Sequence, residues 1–187
     1  MLRYWLAATA AFGWLMAGAP GYACRVWVPL VPGDIKYADV VVTGRIVNYR
    51  IVRDEGFRRR MLASPMLGPE MRKLYEDKDA LLLSDYARFD VLVDRVLVGK
   101  APRKLSVTWD NSTFAEPKTM AARPFLIALR KSNSSVPPLR GPSATILPSP
   151  EAGSLTILQA PCSSAFILAS ASNEARAVRE ILSARPG

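Results

Sequence analysis

ADVVVTGRIVNYRIV, residues 38–52, is the stretch that decides how this chain is read. It is dense in β-branched residues, which fit a pleated surface, and it is longer than an average strand. It is therefore one long strand or two strands joined by a bend. Gly44 stands in its middle, where a residue without Cβ lets a strand kink or bulge and a sheet curl on itself. Small closed barrels turn their corners in this way.

The rest of the chain supplies the other staves. In YARFDVLVDRVLV, residues 86–98, Phe89, Val91 and Val93 alternate with Asp90 before the phase slips at Asp94 and Arg95, the mark of a bulge. GKAPR, residues 99–103, reads as a turn. KLSVTWD, residues 104–110, puts Leu105, Val107 and Trp109 on one face, so Trp109 is expected in the core. Further strands are expected at PFLIAL, residues 124–129, and at residues 155–158, the last of the sheet. Residues 163–170, SSAFILAS, fit a short strand or the approach to a helix.

Between these strands the composition changes. Residues 131–153 are rich in Ser and Pro and read as a loop, since each proline removes a ladder donor. Residues 53–85 form an excursion of helical character, in which Pro69 opens a short helix and Met71, Leu74 and Tyr75 share one face. That excursion is too short for a core of its own, so it lies against the barrel or moves freely. Residues 172–184 predict a terminal helix, with Ser172 as N-cap, Glu174 in the first turn and Ala175, Val178, Ile181 and Leu182 at helical spacing. The expected fold is mainly β: an OB-type closed five-stranded antiparallel barrel with a short helical insertion and a C-terminal helix, a sandwich being the alternative.

The N-terminus adds a compartment. Residues 1–18 carry Arg3 and then a mostly apolar run, followed by Pro20, Gly21 and Ala23, the layout of a secretory signal cleaved between Ala23 and Cys24. The expected location is secreted or periplasmic, with an uncleaved membrane anchor or a lipid on Cys24 as alternatives. Residues 24–187 then suit a single domain. The chain holds two cysteines, Cys24 and Cys162, and in an exported protein they read as one disulfide. In the chain-entropy model a loop of that length contributes about 4–5 kcal/mol.

Charge bounds the partner. The formal net charge is +9, and removal of residues 1–23 lowers it by the single charge of Arg3. Such a chain favours anionic surfaces. Export makes nucleic acid an unexpected partner, and Arg58, Arg59 and Arg60, the one compact cluster, read as a solvated loop.

There is no histidine, so the commonest general base and the commonest metal ligand are both missing. Serine–histidine, cysteine–histidine and zinc-hydrolase schemes are excluded on that ground. Carboxylate pairs remain, with Asp85, Asp90, Asp94, Asp110 and Glu116 at strand ends or in loops, where acidic residues are usually solvated surface. No phosphate loop, Walker pattern or calcium loop appears. The expectation is a non-enzymatic protein without cofactor or metal.

Together these pieces resemble a known family. A cysteine directly after a signal, the stretch VPLVPGDIKYADVVVTGRIV (28–47), RFDVLVDRVLVGK (88–100) with LSVTW, then RPFLIAL and a last cysteine in PCSSAF are similar to the netrin-like or tissue-inhibitor-of-metalloprotease-like domain, in particular its small bacterial exported members. The resemblance runs from Cys24 to Leu168 and implies an OB barrel with its N-terminal segment strapped on by disulfide. In the inhibitors the N-terminal cysteine chelates the zinc of a target protease through its α-amine and carbonyl. By that resemblance Cys24 is the chelating residue and Arg25 enters the specificity pocket. This chain has Val26 where the family has a second cysteine, and DNSTFAEP, residues 110–117, lacks the family's middle one. Candidate partner-binding residues are thus Cys24, Arg25 and Trp27. The expected partner is a protein or an anionic envelope surface, a metalloprotease being one alternative, and the expected state is monomeric.

Overall fold

The computed structural model describes residues 29–80, 82, 84–110, 117–131, 151, 153–160 and 163–184. Strand β1, Val40–Val52, organises the sheet because it uses both of its edges. Along its whole length it pairs antiparallel with β2, Tyr86–Val98, and its first half also pairs antiparallel with β4, Pro124–Lys131. Between them β2 pairs with β3, Lys104–Asp110, β3 with β5, Leu155–Ile157, and β5 with β4. The order β1-β2-β3-β5-β4 returns to β1, and the barrel is closed.

One pairing departs from the all-antiparallel expectation: β3 and β5 run parallel. Parity gives the reason. Directions that alternate around a ring close on themselves only when the number of strands is even, so five staves need a parallel pair. A parallel neighbour cannot be joined by a tight hairpin. Here both β4 and the long connection after it separate β3 from β5.

The bend in β1 lies where the glycine stands. A Cβ on Gly44 would fall 2.3 Å from the backbone oxygen of Leu92, so only glycine lets β1 and β2 approach this closely. The ladder slips beside it, Asp94 being left between the pairs Thr43–Arg95 and Gly44–Val93, as the phase slip in the sequence foretells. A second irregularity falls between Val47–Asp90 and Arg50–Arg88, where Asn48 takes a positive φ of 56°. Asn tolerates the left-handed region better than most residues.

Two apolar layers explain the hydropathy pattern. The barrel interior holds Val40, Val42, Ile46, Phe89, Val91, Val107, Phe125, Ile127, Leu129 and Ile157. On the other face of β1 and β4, Val41, Leu126 and Ala128 are covered by a 3-10 helix, Pro32–Tyr37, and by the terminal helix α3, Asn173–Ser183. Burial on both faces is why VVV and FLIAL are continuous apolar runs rather than alternating ones. In α3, Ser172 Oγ accepts the Ala175 amide at 3.1 Å, and Ala175 and Val178 are fully buried. A sixth strand, β6, Ile167–Ala169, pairs with Phe125–Ile127 on the edge of β4 that β5 leaves open.

The excursion after β1 is tied down at its root. It contains α1, Glu55–Leu62, and α2, Pro69–Glu76. Asp54 caps α1 by accepting the Phe57 amide at 2.8 Å, and Phe57 packs against Tyr75 with ring centroids 6.0 Å apart. One expectation is corrected here. The arginine cluster is not a solvated loop: it lies in α1, and Arg58 is buried against Asp85. On α2 only Tyr75 of the three apolar residues is buried, while Met71 and Leu74 are exposed.

Candidate functional site

The residues named from sequence as partner-binding, Cys24, Arg25 and Trp27, together with Ala23 and Cys162, lie outside the described residues. Their neighbours in the chain do locate two points. Leu30 packs on the outer apolar layer that also contains Ala160, and Ser163 and Ser164 line a cleft at one end of the barrel.

That cleft is built by strand ends that meet there. β3 and β5 are parallel and reach this end together, β3 through Trp109 and β5 at Ile157, two residues before Gln159, while antiparallel β4 begins beside them with Pro124 and Phe125. An isolated bridge between Gln159 and Ala165 turns the chain back so that β6 brings Ile167 alongside. The resulting cavity is about 390 Å³, with Trp109, Met120, Arg123, Phe125, Gln159 and Ile167 on its walls. Trp109 packs on the barrel interior, as expected, and its indole Nε1 also donates to Gln159 Oε1 at 2.8 Å. Gln159 Nε2 in turn donates to the Ser163 carbonyl at 2.7 Å. The amide is thereby held in one orientation, and the indole with it. Arg123 lies over the Phe125 ring at 5.5 Å and gives the apolar wall a cationic edge. Such a mixture of aromatic wall and a few fixed polar groups is what binding clefts present.

The carboxylates named from sequence are dispersed into separate hydrogen-bond sets. Asp85 is buried, contrary to the expectation of a solvated acid, and accepts from Arg58, Asp54 N and Leu82 N. Asp94 is exposed and lies 3.9 Å from Arg45. Asp110 ends β3 opposite Tyr86, and Glu116 lies outside the described residues. Among the described residues no group of three or more His, Cys, Asp or Glu side chains gathers to hold a metal ion, and no helix is long and apolar enough to cross a membrane.

Asp90 belongs to a polar face on the outside of β1, β2 and β3. It accepts from Asn48 Nδ2 at 2.8 Å, Ser106 Oγ at 3.0 Å and Lys104 Nζ at 3.1 Å. The Asn48 hydrogen bond, helped by Lys104 and Ser106, holds its carboxyl below the ordinary value against the opposing effect of burial. Next to it Glu151 accepts the Tyr86 hydroxyl at 3.1 Å and pairs with Arg88 Nε at 3.2 Å. Burial pushes the Tyr86 phenol up, and the Glu151 carboxylate adds to the shift by accepting its proton.

Comparison with models of known protein families, with curated proteins and with solved structures finds no match to this chain. Sequence reasoning placed Trp109 in the core, where it packs, but gave no binding role to it or to Gln159, Met120 and Arg123. Gln159 follows a strand of only three residues, and its role depends on a chain reversal that no local pattern marks.

Proposed function

We propose that this protein is an exported, non-enzymatic binding domain of the cell envelope that takes a segment of a partner macromolecule into the barrel-end cleft. The observation that carries this reading is the indole of Trp109, pinned through Gln159 and the Ser163 carbonyl beside an open apolar wall. A wall held rigid before the partner arrives loses little entropy on binding. A photoreactive residue in place of Met120, at the cleft, should capture a discrete partner in the intact cell envelope. The same residue in place of Lys100, in the turn between β2 and β3, should not. Equal labelling from both positions, or none from either, would end this reading.

A second reading is favoured by one further observation. Ser163 and Ser164, which follow Cys162 in the chain, line the cleft. A Cys24–Cys162 disulfide would bring the mature N-terminus to that rim, where a free α-amine can meet a protease zinc. This is the metalloprotease-inhibitor reading implied by the family resemblance. Assay against a panel of metalloproteases tests it: inhibition that disappears when one residue is added before Cys24 supports it, and indifference to the extension removes it. The intact mass of the protein from its own envelope, with and without reductant, separates a free Cys24, a bridged Cys24 and a lipid-modified one.

A further inference from the structure

The pairing of β1 with β2 sets Arg50 directly opposite Arg88. Ile51 and Ala87, the next pair along, are turned the other way, with Ala87 fully buried, so the two arginines share the outward face. Directly opposed side chains in an antiparallel pair stand about 5 Å apart at Cβ, and like charges there are destabilising. Glu151 neutralises Arg88, whereas Arg50 is exposed and has no acidic partner among the described residues. The bulge at Asn48 opens the same face into a second cleft of about 390 Å³, lined by Asn48, Tyr49, Arg50, Arg88, Phe89 and Asp90.

We propose that this cleft is a carboxylate-binding site for an acidic sugar of a uronic-acid-containing polysaccharide, with Arg50 and Arg88 as the paired donors. Planar guanidinium forks match a planar carboxylate. Two fixed negative charges, Asp90 and Glu151, flank the arginines, so a singly charged carboxylate is favoured there over a doubly charged phosphate. Asn48 is oriented by Asp90 through its Nδ2, which leaves its carbonyl oxygen to accept a sugar hydroxyl. A flat lipid surface would use none of this concavity. The inference rests on the β1–β2 face alone and is independent of the barrel-end cleft.

Titration of the purified protein with trigalacturonate, followed by amide NMR and calorimetry, tests it. The expected result is saturable binding that moves the amides of Asn48, Arg50 and Arg88 and weakens at least tenfold in Arg50→Gln. Neutral trigalactose should fail to bind. Arg50→Lys should recover part of the loss, and Arg50→Gln without ligand should melt no lower than the parent, because a like-charge contact is relieved. Four results would overturn the proposal: unchanged affinity in Arg50→Gln, a lowered melting temperature in that variant, tighter binding of inorganic phosphate at the same amides, or displacement of the trisaccharide by phosphatidylglycerol vesicles.

Discussion

Arg58 Nη2 meets Asp85 Oδ2 at 2.6 Å with both side chains almost wholly buried. The pair joins the first turns of the excursion to its last residue before β2. The same Nη2 also donates to the Ala80 carbonyl at 2.9 Å, and Asp85 accepts the amides of Asp54 and Leu82 at 3.0 and 2.8 Å. One carboxylate therefore closes a loop that leaves the barrel at Val52 and re-enters at Tyr86.

Removing one partner strands the other charge in the interior. Asp85→Ala should cost about 3–5 kcal/mol by urea unfolding, since breaking a buried pair leaves an uncompensated ion. Arg58 Nε and Nη1 are already buried without hydrogen-bond partners among the described residues, which deepens the penalty. The double variant Arg58→Met with Asp85→Asn should lose less than the two single changes added together. A single-variant loss below about 1 kcal/mol, the range of exposed pairs, would contradict the buried clamp.

Gly44 and Gly33 form a matched test of close approach. A Cβ at Gly44 meets the Leu92 carbonyl oxygen, while one at Gly33 meets nothing within 4 Å. Gly44→Ala should destabilise by about 1–3 kcal/mol or more as the β2 backbone is forced away. Gly33→Ala should be close to neutral. Equal melting temperatures for the two variants would disprove the account of the bend.

Asp90 should give stability a pH dependence. Its folded value lies below the ordinary 3.8, chiefly through the Asn48 hydrogen bond, so its contribution is complete above that value and is lost as pH falls through the folded one. Wild type should therefore exceed Asp90→Asn in stability at pH 6, and the gap should narrow as pH falls below the ordinary carboxylate value. A gap that stays constant as pH falls would show that the charge of Asp90 is not what matters. The carboxyl carbon shift of Asp90 gives the same titration directly.

The Ser172 cap secures α3 and, through it, the outer apolar layer. Ser172→Ala should cost about 1 kcal/mol, and Ser172→Asp should retain most of the stability. Amide exchange at Ala175 and Arg176 reports the fraying most directly.

Much of the barrel is legible in the amino-acid sequence. The β-branched run of β1, the glycine at its bend, the phase slip at Asp94 and the capping pattern at Ser172 are local signals with local causes, and the structure keeps all four. The helix α1 escaped because EGFRRRML has little apolar periodicity. Its formation follows instead from the Asp54 cap and from an ion pair with a residue 27 positions away. The helix opened by Pro69 forms as its sequence predicts, but helical spacing marks a face and not whether anything covers it, and Met71 and Leu74 stay exposed.

The sequence by itself determined the strand order's raw material, the doubly apolar segments, the bend and the terminal helix, because propensity, periodicity and capping act over a few residues. The tertiary structure alone decided what faces what. Ring closure with five staves made β3 and β5 parallel, burial turned an apparently solvated Asp85 into a clamp, and register set Arg50 against Arg88. Each of these is a long-range relation, and its energy exists only after distant strands have met.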